Sequence, residues 1–177
     1  MVQLLPIVTE DSHAHQTPGL APYTPLELEG RDIYIRESCG TCHTQQIRPL
    51  LAEVKRYGPY SRSGEFAYDR PFLWGSKRTG PDLARVGGRY SDAWHRAHLR
   101  NPRALVPEAN MPGYPWLART KLTGEDLPAK MRALRMVGLP YTDAEIAKST
   151  QEVAGKTEED ALIAYLQELG TVIKSRR

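Results

Sequence analysis

The sequence predicts an all-α chain with long loops. Three observations lead there. Apolar residues recur at helical spacing in separate stretches, each opened by a cap residue or closed by a glycine. No convincing series of strands is present. Gly and Pro together supply 28 of 177 residues, about 16% against roughly 12% in average proteins, so loop should be extensive. The length suits one domain. The balance of 24 Lys+Arg against 21 Asp+Glu leaves a formal charge of only +3, which argues against nucleic acid as a partner. No stretch approaches the roughly 18 apolar residues of a membrane span. Met1 to Val8 is too short for one and lacks the basic start of a signal peptide, so the chain as written is expected to be soluble. Two cysteines exclude a disulfide scaffold.

Residues 1–25 carry Pro6, Pro18, Pro22 and Pro25 with Gly19, and read as an extended leader or tether. His13 and His15 fall in it and are given no role. A domain over 26–177 follows. Its first helix runs from about Leu26 to Ser38, with Leu28, Ile33, Tyr34 and Ile35 as apolar positions, directly into Cys39. Residues 44–80 form a long insertion. It holds a short helix over Ile47 to Arg56, with Pro49 in its first turn, and then a segment with Tyr57, Tyr60, Phe66, Tyr68, Phe72 and Trp74. These are six of the chain's 14 aromatics. A disordered linker would be poor in aromatics, so this is an ordered functional loop packed on its own domain or on a partner.

Ser91 caps a helix from Asp92 to Arg100, stopped before Pro102. Pro102 to Trp116, with four prolines, reads as irregular. Glu125 to Val137 is helical and ends at Gly138. Thr142 and Glu145 form a capping box for a helix reaching Val153. Thr157 caps the last helix, whose first turn carries Glu158, Glu159 and Asp160, where the helix dipole favours acids. Leu162, Tyr165, Leu166 and Leu169 recur on one face, and Gly170 suits the position just past the helix end.

Cys39-Gly40-Thr41-Cys42-His43 is a C-x-x-C-H sequence, the attachment signal for haem c. The thiols add to the two haem vinyl groups, and the following histidine supplies the proximal imidazole. A bare redox dithiol should sit at a strand-to-helix turn, and no strand precedes Cys39. Zinc would need four ligands, and His95 and His98, which could complete the set, lie more than 50 residues away. A second axial ligand is sought among Met1, Met111, Met131, Met136 and the histidines. Met111, in the proline-bracketed loop Asn110 to Tyr114, is favoured. Met131 and Met136 sit in a helical pattern that suits core packing. His95 and His98 share a face of a basic helix and read more simply as exposed or capping histidines. A ligating histidine usually donates its other N–H to a carbonyl or carboxylate, and the rigid turn of Thr79 to Leu83 assigns that acceptor to Pro81. Arg89 is the leading donor to the haem propionates, followed by Tyr90, Trp94, Tyr114 and Trp116. Arg70 to Arg103 holds eight basic residues and two acidic ones. They form either a solvated face with propionate partners or a docking strip for an acidic or haem-bearing protein.

C-x-x-C-H, then GPDL, a Met-Pro loop, and a last helix containing Leu162-Ile163-Ala164-Tyr165-Leu166 together resemble class I cytochrome c. The resemblance implies a first and a last helix that cross near the haem edge, with Gly30, Ile33 and Tyr34 as first-helix partners. LEGRDIYIRESCGTCHTQQIRP (28–49), VKRYGPYS (54–61), WGSKRTGPDLARVGGRYSDAWHRAHLRNPR (74–103) and MPGYPWL (111–117) narrow it. From Tyr23 to Gly170 the chain resembles the mono-haem subunit II of cbb3-type cytochrome c oxidase.

The resemblance implies one covalent haem c and a place on the periplasmic face of the bacterial inner membrane. It also implies electron relay to the haem–copper catalytic subunit, alongside other cytochrome c subunits and an electron-donor cytochrome. Gln3-Leu4-Leu5-Pro6 looks like the end of the family's membrane anchor, whose span is missing ahead of it. Ser76 occupies the position of a serine near a divalent cation at the family's subunit junction. The chain is thus expected to be an electron-transfer subunit, not an enzyme by itself. Residues 44–80 would be its docking surface, and replacing Trp74 or Arg78 would weaken assembly. The rivals are a free soluble c-type shuttle, a haem gas sensor with a displaceable sixth ligand, and a colourless zinc module.

Overall fold

A computed structural model describes residues 16–174, so His13, His15 and the Gln3–Pro6 stretch lie outside the described residues. Among the described residues the chain is helical. Among those residues the only β feature is an isolated bridge between Lys121 and Thr157.

Helix α1, Pro25–Arg36, opens with a capping box. Glu27 N–H donates to Thr24 Oγ1 over 3.4 Å, and Thr24 N–H donates to the Glu27 carboxylate over 2.8 Å. Pro25 at the first position costs no helical hydrogen bond, because that N–H would be unpaired anyway. The helix stops because Ser38 turns left-handed, at φ 58°, which redirects the chain into a single 3₁₀ turn, Cys39–Thr41. Helix α7, Glu158–Glu168, has the matching box between Thr157 and Asp160, with its acids in the first turn.

The crossing of α1 on α7 is the main packing contact of the fold, and Gly30 makes it possible. A Cβ there would stand 1.9 Å from the Ala161 carbonyl oxygen, so only hydrogen fits. Around the crossing, the Tyr165 ring meets Tyr34 and Tyr23, each with centroids 5.6 Å apart. Such pairs add roughly 0.5–1.5 kcal/mol each beyond their burial. Gly170 follows α7 with φ +77°, where a side chain would also strike the Ala84 carbonyl.

Residues 16–24 are irregular, as their prolines predict, yet they are seated rather than free. Thr17 N–H donates to the Gly64 carbonyl at 3.0 Å, and Tyr68 O–H donates to Gln16 at 2.9 Å. The insertion is pinned to α1 from within. Buried Arg31 donates to the carbonyls of Arg70 and Pro71 and pairs with buried Asp69 at 3.5 Å.

The insertion's helix α2 is Leu51–Tyr57, shorter than the Ile47–Arg56 expectation, and Pro49 lies outside it. Ile47 is buried with its N–H bound to Ser61 Oγ, and Arg48 N–H is bound to the Glu53 carboxylate. The chain therefore enters no helix before Leu51, and bends at Pro49 where Leu50 N–H bonds the Arg48 carbonyl. Helix α3, Asp92–Arg100, starts under the Ser91 cap. The stretch read as irregular contains one helical turn, α4, Pro102–Leu105, and a 3₁₀ turn, Pro115–Ala118. Each begins at a proline, whose fixed φ suits a first helical turn.

Helices α5, Leu127–Met136, and α6, Asp143–Val153, enclose a second core with Leu28, Met131, Leu139, Tyr141 and Ile146. Lys130 ties this hairpin to α1 through Glu29 and Asp32. Met131 is core, as expected. Met136 is not, being 87% exposed, because five residues of helix turn it to the opposite face. A last turn, α8, Thr171–Lys174, closes the described chain.

Candidate haem site

The 3₁₀ turn after α1 presents both cysteines as free thiols, Cys39 half-buried and Cys42 exposed. The N–H groups of Cys42 and His43 both bond the Cys39 carbonyl. Burial pushes the Cys39 thiol up to about 11, so it stands as a neutral thiol at physiological pH. His43 Nδ1 lies 2.8 Å from the Pro81 carbonyl oxygen. A carbonyl can only accept, so the proton sits on Nδ1 and the Nε2 lone pair is left free for a metal.

Gly80 is pressed against the imidazole. A Cβ there would fall 2.3 Å from His43 Cε1. Tyr34 O–H donates to the His43 carbonyl at 3.2 Å, and Tyr165 O–H to the buried Gln45 side chain at 3.0 Å. The two crossing helices thereby hold the segment that follows the motif.

Met111, Cys39, Tyr114, Leu73 and Leu83 all pack against the same core as the α1–α7 crossing. The loop thioether and the motif are thus brought to one apolar body from positions about 70 residues apart. Tyr114 is held above its ordinary range by burial and by its proximity to both thiols.

Tyr90, Trp94 and His98 form a column, with ring centroids 4.0 Å and 4.5 Å apart. Exposed Arg89 reaches over the Tyr90 ring. Trp116 is exposed, edge-on to Tyr114. His95 is neither exposed nor capping: it is 4% exposed, with Nε2 buried and unpartnered among the described residues. Burial lowers the pKa of both His95 and His98, so both favour the neutral ring. Trp74 Nε1, His98 Nδ1, Gln45 Nε2, Arg31 Nε, Arg70 Nε and Arg85 Nε are also buried without a hydrogen-bond partner among the described residues.

Half of the basic strip, Arg78, Arg85, Arg96 and Arg100, is neutralised from inside by carboxylates of the chain. Of its eight cations, Arg70, Arg78, Arg85, Arg96, Arg100 and Arg103 donate to carboxylates or carbonyls of the chain itself. Glu159, 1% exposed, takes Arg96 and Arg100. Arg70 and Arg103 reach only carbonyls, and with Lys77 and Arg89 they form no ion pair among the described residues. Trp74 packs between Phe66 and Phe72, and the Arg78 side chain is only 18% exposed. The insertion turns these two residues inward and presents Leu50, Leu51 and Tyr60 outward. Ser76 is exposed. Among the described residues no group of three or more His, Cys, Asp or Glu could hold a metal ion.

Sequence reading missed the polar frame behind His43, formed by Thr44, Arg78, Asp82 and Glu53. One signal was available: an aspartate directly after the Gly-Pro turn is a natural turn-capping side chain, and Asp82 Oδ1 does accept the Ala84 N–H at 2.8 Å.

The family model described as cytochrome c oxidase, mono-heme subunit/FixO matches residues 1–160. The chain belongs to this family. It is the mono-haem subunit of a cbb3-type cytochrome c oxidase, carries one haem c, and serves electron transfer as an accessory to the catalytic subunit. A search of curated proteins returns no match. In this mono-haem subunit, no helix among the described residues is long and apolar enough to cross a membrane.

Proposed function

We propose that Cys39 and Cys42 hold the haem as thioethers, that His43 Nε2 and Met111 Sδ are its axial ligands, and that the chain relays single electrons to the haem–copper subunit of the oxidase on the periplasmic face of the membrane. The single observation that carries this reading is the contact of His43 Nδ1 with the Pro81 carbonyl, which leaves Nε2 unprotonated beside two free thiols. The residues present fit the group: Gly80, with no side chain, lets the backbone lie against the imidazole, and Met111 sits on the same core as Cys39. The haem supplies the one-electron couple.

The protein's own part is to exclude water, orient the imidazole and keep its proton on Nδ1. A thioether ligand favours ferrous iron and raises the potential relative to two histidines. The arrangement is that of class I cytochrome c, with the α1–α7 crossing behind the motif. Arg89, Tyr90, Trp94, Tyr114 and Trp116 supply the polar and aromatic groups for the haem edge and propionates. Residues 44–80 dock on the oxidase through their exposed side chains. Ser76 would contribute one ligand to a cation completed by a partner.

Visible spectra of the oxidised and dithionite-reduced protein test this. Sharp reduced α and β bands with a weak far-red band in the oxidised state are expected. A low-spin spectrum without the far-red band would remove Met111, and a colourless, zinc-containing protein would remove the haem reading.

A further inference from the structure

The frame behind His43 is denser than a turn requires. Asp82 directly follows Pro81, and its side chain is fully inaccessible. Its Oδ2 accepts from Thr44 Oγ1 at 2.5 Å and from Gln46 N–H at 2.9 Å. Arg78 Nε donates to the same Thr44 hydroxyl at 2.7 Å. Arg78 Nη2 donates to the Gln46 carbonyl and the Glu53 carboxylate, each at 2.7 Å. The Thr44 hydroxyl is therefore a hub, accepting from the guanidinium and donating to the carboxylate. Backbone bonds complete the frame: Gly80 N–H to the Cys42 carbonyl at 3.0 Å, and Leu83 N–H to the Thr44 carbonyl at 2.8 Å. Residues 42–46 and 78–84 are thus stitched together on both sides of the His43–Pro81 contact.

We propose that Thr44, Arg78 and Asp82 are positioning residues that hold the Pro81 carbonyl against His43 Nδ1–H and so lower the reduction potential of the haem. The proposal rests on the reading of His43 as the axial ligand and goes beyond it. A buried ion pair is weak support for stability, so stability alone does not account for an inaccessible carboxylate at this place. Outer-shell partners that orient a ligating histidine also raise its basicity. A tight Nδ1–H···O=C bond gives the imidazole more negative character, which stabilises ferric iron. Loosening the frame weakens that bond and raises the potential. Glu53 acts one step further out, holding Arg78 in place.

The haem-loaded protein provides the test. Thr44→Val removes the hub without changing charge, and Thr44→Ser restores the hydroxyl. Two quantities are read: the potential at fixed ionic strength, and solvent exchange of the His43 Nδ1–H by NMR in the reduced state. Thr44→Val is expected to raise the potential and to speed exchange about tenfold, the loss of roughly one hydrogen bond's protection. Thr44→Ser is expected to return both to the parent values. Should Thr44→Val fail to fold, Arg78→Lys, which keeps the charge and loses the two-point reach, is expected to move both readings the same way by less. Unchanged potential and exchange in a folded variant would overturn the proposal. So would an Arg78→Lys protein that lost only its binding to the oxidase. His43→Ala separates the two readings: an unaltered spectrum there would refute the ligand assignment itself, whereas failure of the frame alone leaves that spectrum changed as expected.

Discussion

Residues 42–46 and 78–84 are joined by side-chain and backbone hydrogen bonds around a buried carboxylate. The stretch that carries Met111 is held more lightly. Its ties are Val106 N–H to the Pro102 carbonyl, Ala109 N–H to the Val106 carbonyl, and Arg103 to the Ala109 carbonyl, with Tyr114 N–H anchoring its far end to Leu99. Leu105 and Val106 are exposed. The histidine side of the proposed site is determined by directional bonds, the methionine side by packing and prolines. A thioether is a flexible, uncharged ligand with no second donor to orient, whereas an imidazole has a tautomer and a ring plane that must be fixed. The difference in construction follows from that difference in chemistry.

Substitutions on the two sides should therefore differ in size. Gly80→Ala places a methyl group against the His43 ring, where the frame permits no retreat. A destabilisation of about 3 kcal/mol is expected, read by denaturant unfolding, with a steep fall in the yield of haem-loaded protein. Met111→Leu conserves volume. It is expected to abolish the far-red band and lower the potential, while the unfolding free energy of the haem-free chain moves by less than about 1.5 kcal/mol. Gly113→Ala sets a methyl 2.6 Å from the Arg100 carbonyl oxygen. The lightly tied loop can shift, so about 1 kcal/mol is expected, and an effect equal to that of Gly80→Ala would erase the contrast.

The smallest effect concerns pH. Arg78 first, then Arg48, holds the Glu53 carboxyl down to about 2 from its ordinary 4.5. A depressed carboxyl stabilises the fold above its unfolded value, and that stabilisation is lost as pH falls from about 4.5 through about 2. Glu53→Gln should flatten the stability profile in that window, because the amide takes up no proton there. An unchanged acid slope would show that Glu53 is not held by the frame.

Much of this was legible in the chain because it depends on local rules. The caps at Ser91, Thr142 and Thr157 mark helix starts through bonds spanning three residues, whereas the box at Thr24 was not read from the sequence. The motif at 39–43 binds its chemistry to five adjacent positions. What was misread depends on distance. Met136 shares a helix with core Met131 and lies outside, because five residues of helix turn it to the opposite face. Arg78 has the composition of a docking residue and lies mostly inside, because Glu53 arrives from 25 residues away to join Asp82, four residues on, in pairing with it.

By itself the sequence determined the helical class, the haem-attachment motif and the family, since each is written in contiguous residues whose chemistry acts over one or two turns. The tertiary structure alone decided which charges are spent internally, which face of the insertion is free, and what grips the histidine. Those outcomes are set by long-range closure. Gly30 admits Ala161, the two crossing helices then hold residues 43 and 45 through Tyr34 and Tyr165, and residues 44, 53, 78 and 82 meet by hydrogen bonds across the insertion.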